Sequence, residues 1–154
     1  MRRADLRVLA AAFGLVLAPD AARAACTVSS TGVAFGAYDP RSATPDDSSG
    51  TVQADCHPSD NAPNVEIGAG LYGTIATRRM SNGAATLSYL LYTSAARSIV
   101  WGDGTLGSIT QTLIGGTVSG GTRHFSGTIY GRILAGQNVP AGTYNDTLMV
   151  TISF

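Results

Sequence analysis

The chain predicts an all-β sandwich or barrel built from many short strands, and three observations carry that prediction. Apolar and polar residues alternate with period two in several separate runs, which is the pattern of half-buried strands. Nineteen glycines among 154 residues interrupt those runs at turn-like clusters, and after the first two dozen residues no segment holds ten or more residues of helical period. The clearest run is the last: Leu148, Val150, Ile152 and Phe154 alternate with Thr147, Met149, Thr151 and Ser153. Nothing in that run blunts its free edge with charge or proline, and a long apolar edge invites pairing with another chain.

Residues 1–24 combine Arg2, Arg3 and Arg7, an apolar run from Val8 to Ala18, and a small-residue exit at Ala22-Arg23-Ala24, the three parts of a secretory signal peptide. The apolar run is short of the roughly 20 residues a spanning helix needs. Cleavage is expected after Ala24, leaving one domain over 25–154 with no integral membrane segment. That domain holds two more acidic than basic side chains, which argues against a nucleic-acid or anionic-membrane partner.

Along the domain, Thr27-Val28 and Val33 to Phe35 read as opening strands. The stretch from Asp39 to Gly50 has the composition of a polar loop with nothing to bury. Thr51 to Cys56 alternates with Val52, Ala54 and Cys56 inward, and Val65, Ile67 and Ala69 repeat the pattern beyond the turn at Pro58 to Pro63. Thr86 to Tyr92, Ser108 to Ile114, Phe125 to Ile133 and Tyr144 to Phe154 follow as strands. Between them lie Ser81-Asn82-Gly83, the Trp101-Gly102-Asp103-Gly104 turn with a semi-buried indole, Gly115-Gly116, Gly120-Gly121 and Ala135-Gly136-Gln137.

The two cysteines, Cys26 and Cys56, read as one disulfide, because an exported chain with an even count and no other thiol has no better use for them. A loop of about 30 residues contributes roughly 3–4 kcal/mol in the chain-entropy account. A structural zinc site would want four ligands. No metal, cofactor or catalytic residue is expected. The domain has one glutamate, Glu66, no lysine and two histidines, so the material for acid/base chemistry is thin. His124 falls on the solvent face of its strand, and His57 sits in a turn without a partner at metal-ligand spacing. Asp46-Asp47 and Asp55 to Asp60 lack the positional pattern of a calcium loop. No serine stands in a Gly-x-Ser-x-Gly elbow.

Phe35-Gly36-x-Tyr38-Asp39-Pro40, Arg78-Arg79-Met80, Leu87-Ser88-Tyr89-Leu90-Leu91-Tyr92, Trp101-Gly102-Asp103-Gly104, Tyr130-Gly131-Arg132-Ile133 and Gly136-Gln137-x-x-Pro140-Ala141-Gly142-Thr143-Tyr144-x-Asp146-Thr147 together resemble the spore coat protein U domain, a family that includes subunits of archaic, Csu-type chaperone/usher pili. The resemblance implies an incomplete immunoglobulin-like sandwich lacking its final strand. It also implies a periplasmic pilus chaperone, an outer-membrane usher and a neighbouring subunit that donates a strand as partners. The expected course is export through the inner membrane, assembly in the periplasm and display at the cell surface. Leu148, Val150, Ile152 and Phe154 would line one wall of the acceptor groove, and Gly142 with Tyr144 would form a structural corner like the tyrosine corner of sandwich domains.

A subunit that also gives a strand needs roughly ten alternating residues before its first cysteine. Cleavage after Ala24 leaves Ala25 alone, so the expectation is a tip or terminal subunit supporting surface attachment and biofilm formation. The alternative is a secreted spore or cell coat protein that does not polymerise; an enzyme or small-ligand binder is a third class. Leu71, Tyr72, Ile75 and Leu106 are the apolar loop residues available for surface contact. A sandwich that closes itself would have to use the segment around Val33 to Phe35.

Overall fold

The computed structural model describes residues 26–154; the expected signal peptide and its cleavage site lie outside the described residues. In chain order the strands are β1 (Thr27–Thr31), β2 (Asp46–Cys56), β3 (Asn64–Ile67), β4 (Arg79–Ser81), β5 (Thr86–Tyr92), β6 (Gln111–Thr112), β7 (Ile114–Ser119), β8 (Thr122–Ile133) and β9 (Val150–Ser153). One sheet runs β1-β2-β8-β5-β4, with β7 also on β8, and the other runs β6-β3-β9. All the named pairings are antiparallel. The chain is an immunoglobulin-like β-sandwich with one disulfide, Cys26–Cys56.

Alternation decides what each strand buries. On β8 the inward row is Phe125, Gly127, Ile129, Gly131 and Ile133, all buried, while His124, Ser126 and Tyr130 face out. The same parity on β2 sends Val52, Ala54 and Cys56 into the core, and β3 contributes Val65 and Ile67 from the opposite sheet. Gly127 is small for a reason: a Cβ there would lie 2.8 Å from Leu113 Cδ2 and 3.2 Å from Trp101 Cη2. The space it leaves is taken by the indole, so Trp101 is fully buried, with Nε1 donating to the Val65 carbonyl at 3.0 Å. The expectation of a semi-buried indole is thus corrected.

Several boundaries differ from the sequence reading. Asp46–Gly50 belongs to β2 rather than to a loop, because β8 is long enough to pair it and Arg132 grips Asp47 through two bonds, Nε to Oδ1 at 2.7 Å and Nη2 to Oδ2 at 2.9 Å. Gly115 and Gly116 lie not in a turn but in a bulge of β7, where the register on β8 shifts and both take positive φ. Val33 to Phe35 has the exposure alternation of a strand but joins no ladder among the described residues. The run Ser108 to Ile114 is strand only at Gln111–Thr112 before β7 begins. Ile75 is buried, whereas Leu71 and Leu106 are each 67% exposed.

Candidate functional site: an open groove between the sheets

The final segment, expected as one strand from Tyr144 to Phe154, spans two sheets instead. Asn145 exchanges backbone hydrogen bonds with Ser81 of β4, 2.9 and 3.0 Å long. Four residues later the Met149 carbonyl accepts from Gly68 at 2.9 Å, and Val150–Ser153 then pairs with β3 as β9. Among the described residues β9 stands at the edge of its sheet and β1 at the edge of the other. A groove opens between those edges.

One wall of the groove is the chain from Ser30 to Tyr38, and the other is the chain from Val139 to Val150. Two adjoining cavities, about 360 and 610 Å³, run along it, sharing Val33, Phe35, Met80, Tyr144 and Asn145. The floor is apolar: Ile67, Leu91 and Ile129 under the first cavity, Leu87 and Ile133 under the second. Of the four residues expected to line the wall, Leu148, Val150 and Ile152 are partly buried and pack against the core. Leu148 and Val150 reach the first cavity. Phe154 is 69% exposed at the end of the row. Thr151 and Ser153 face outward, as period two requires, and Met149 is 75% exposed.

Gly142 and Tyr144, the residues expected as a structural corner, each contact a neighbouring loop. Tyr144 donates its hydroxyl to the Pro140 carbonyl at 2.9 Å, tying the strand entrance to the loop before it. Gly142 lies where a Cβ would stand 3.0 Å from Asn82 Nδ2, so the corner packs closely on the β4–β5 turn. Tyr38 reinforces the same end: its hydroxyl donates to the Leu134 carbonyl at 3.1 Å and accepts from the Gln137 amide at 2.8 Å. The Gln137 carboxamide in turn accepts from Ser88 N and donates to Ser88 O, both at 2.8 Å. A side chain here takes the place of a ladder partner.

Two polar residues that the sequence named only within motifs, without a role, hold the groove floor. Asp146 accepts from the Leu71 and Thr147 amides at 2.8 Å each and from the Tyr89 hydroxyl at 2.7 Å. Burial, and then the adjoining carboxylate, push the Tyr89 phenol far above its ordinary range, so it stays protonated and donates. Gly70 is required beside them, because it holds φ +86° and a Cβ would collide with the Asp146 carboxylate. Arg78 is completely buried; it donates from Nε to Gly68 O at 2.9 Å and from Nη2 to Ile67 O and Trp101 O at 2.7 and 2.9 Å. Burial pulls its pKa down, and the nearby Tyr89 and Asp146 offset part of that. The Arg78-Arg79-Met80 motif marked the position, but a charge in the core runs against the burial rule on which sequence reading relies.

The residues weighed for chemistry lie elsewhere. His124 Nδ1 is 2.7 Å from Asp55 Oδ1 across the β2–β8 ladder, on the solvent face, and His57 Nδ1 is 2.8 Å from Ser59 Oγ in its turn. Among the described residues Cys26, Cys56 and Asp60 bring three ligand atoms together, but the disulfide occupies both sulfurs.

Comparison with known proteins follows the same line. The family model described as Spore Coat Protein U domain matches residues 12–151. Protein U of Myxococcus xanthus is 36% identical over 140 residues, a match covering 78% of this chain and 70% of that protein. Among solved structures, a chain in the CsuC–CsuE chaperone–tip adhesion subunit pre-assembly complex from archaic chaperone-usher Csu pili of Acinetobacter baumannii superposes with a TM-score of 0.54 at 24% identity. That match covers 84% of this chain and 39% of the other, so this chain spans well under half its length. At that identity the likeness is one of fold.

Proposed function

We propose, on the premise that this chain belongs to the Spore Coat Protein U domain family, that it is a structural subunit of a chaperone/usher pilus whose groove is filled by a strand from another molecule. The groove itself carries the reading. It offers an incoming chain a free backbone edge on β1, a second on β9, and an apolar floor between them, the three things β-strand addition uses. Leu148, Val150, Ile152 and Phe154 are the wall against which alternate side chains of that strand pack, and Gly142 and Tyr144 fix the entrance. In the periplasm the strand comes from the chaperone. After transfer at the outer-membrane usher it comes from a neighbouring subunit, and the fibre is then displayed on the cell surface, where it supports attachment and biofilm formation. No residue is assigned a catalytic role in this reading.

A tip or terminal position is the finer form of the proposal. It stands if N-terminal sequencing of the surface protein gives Ala25, and a start upstream that retains an alternating apolar stretch returns a shaft role. The spore-coat description of the family supports a second reading, in which the domain is deposited in a cell or spore coat without polymerising.

Co-expression separates the two. With a periplasmic pilus chaperone the subunit should purify as a soluble stoichiometric complex, and without it the exposed apolar row should lead to aggregation or degradation. A subunit that stays soluble and monomeric whether or not the chaperone is present, and forms no complex with it, refutes the pilus reading and favours the coat.

A further inference from the structure

The β1 ladder stops at Thr31, and the chain then lays Val33 and Phe35 into the mouth of the groove. Both side chains are seated over Gly131 of β8: a Cβ at that position would lie 2.5 Å from Val33 Cγ1 and 2.7 Å from Phe35 Cζ. The Phe35 ring also meets Tyr89 edge-on, 6.1 Å between centroids, and Val33 and Phe35 each border both cavities. The segment alternates in exposure, yet among the described residues its backbone joins no strand. Among the described residues its one hydrogen bond runs from Ser48 Oγ to the Ala34 carbonyl at 2.6 Å. Glycines bound it on either side. Gly32 has nothing within 4 Å of a Cβ, and Gly36 has the same freedom with φ +79°.

These features have one common reading. An apolar alternating segment held by side-chain contacts, without a ladder, can leave its seat without breaking a sheet. Glycine on both sides lets it swing without disturbing β1 or the Tyr38 bonds. The apolar seats it fills are the ones an added strand would need. We infer that Gly32–Gly36 is a hinged internal plug, which occupies part of the groove in the uncomplemented subunit and leaves its seat on Gly131 when a partner strand arrives. This deepens the strand-accepting reading above and rests on it. The plug shields apolar surface while the subunit waits, and it sets a barrier that a weakly matched strand fails to overcome.

Chymotrypsin cuts after Phe35 only when the ring has left its seat, which makes the cleavage rate a measure of plug position. The chain with its disulfide intact, refolded from denaturant, is digested with and without a synthetic peptide of about twelve residues alternating valine and threonine. Binding of that peptide is followed separately by fluorescence anisotropy. Gly131→Ala places a methyl in the seat and should raise cleavage at Phe35 by roughly tenfold or more without peptide, while thermal unfolding remains cooperative. Bound peptide should do the same to the unsubstituted chain, and Phe35→Ala should bind peptide faster. Slow cleavage that persists when the peptide is demonstrably bound overturns the plug and leaves strand capture intact. Peptide binding to Phe35→Ala alone supports the plug as a barrier. If no form binds peptide, strand capture fails, and the plug stands or falls on Gly131→Ala: accelerated cleavage supports a segment that can be unseated, and unchanged cleavage overturns it.

Discussion

Replacing Val150 by asparagine tests the groove directly. Val150 lies on β9 with its side chain inward, partly buried, bordering the first cavity. In the open subunit water still reaches that cavity, so the carboxamide of Val150→Asn keeps hydrogen-bond partners and the fold survives. Once a strand covers the groove, the same carboxamide is buried among Ile67, Leu91 and Leu148 with nothing polar assigned to it. An unpaired buried amide costs about 1–3 kcal/mol. At about 1.4 kcal/mol per tenfold, capture of the chaperone should weaken by roughly 5- to 150-fold. Met149→Asn is the matched control: its neighbour on the same segment, 75% exposed on the outer face, should change affinity by less than about twofold. Isothermal titration of the chaperone into each variant, alongside denaturant unfolding of the open subunit, gives both numbers. Equal losses at the two positions, or a loss at Met149 alone, would refute the assignment of the inner row as the binding wall.

Tyr89→Phe removes the hydroxyl that donates to Asp146 and should cost about 1–3 kcal/mol in unfolding free energy; a variant as stable as the parent would mean that the Leu71 and Thr147 amides satisfy that carboxylate alone. Replacing Cys26 and Cys56 together by alanine should lower stability by roughly 3–4 kcal/mol, read from the shift in denaturant midpoint, and an unmoved midpoint would contradict it. The Arg132 hydrogen bond holds the Asp47 carboxyl below its ordinary value; burial opposes it, and the charges of Arg132 and then Arg97 add to the lowering. Its contribution is therefore complete at neutral pH and disappears as pH falls through the lowered value. Asp47→Asn should cost under about 1 kcal/mol at pH 7, because the pair is solvent-screened, and the difference from the parent should close in acid. A gap that widens in acid would reverse the sign of the argument.

Where periodicity and burial point the same way, the sequence was readable. Thr86–Tyr92 is a strand at the expected residues, Val52, Ala54 and Cys56 point inward as expected, and the cysteines are bonded. Errors came where a neighbour decides the structure. Asp46–Gly50 carries no apolar alternation, and only the length of β8 and Arg132 make it a strand. Val33 to Phe35 has the alternation but no ladder partner, and Gly115-Gly116 has turn composition inside a paired strand. Around the groove, the core packing of Leu148, Val150 and Ile152 was legible, because their alternation is local. The opposite wall was not, since nothing local in Val33, Phe35 or Gly131 says that they meet.

The final segment's attachment to both sheets has a mechanical consequence. Asn145 is anchored to β4 and Val150–Ser153 to β3, while β1, across the groove, pairs with β2 and Cys26 beside it is stapled to Cys56. A strand seated between them and pulled along its axis loads one flank through a covalent bond and the other through two sheets at once. Tension is shared across the sandwich instead of peeling one strand from an edge, and the bonds resist it in shear. Toughness under flow would then come from how the walls are anchored as much as from what the groove holds.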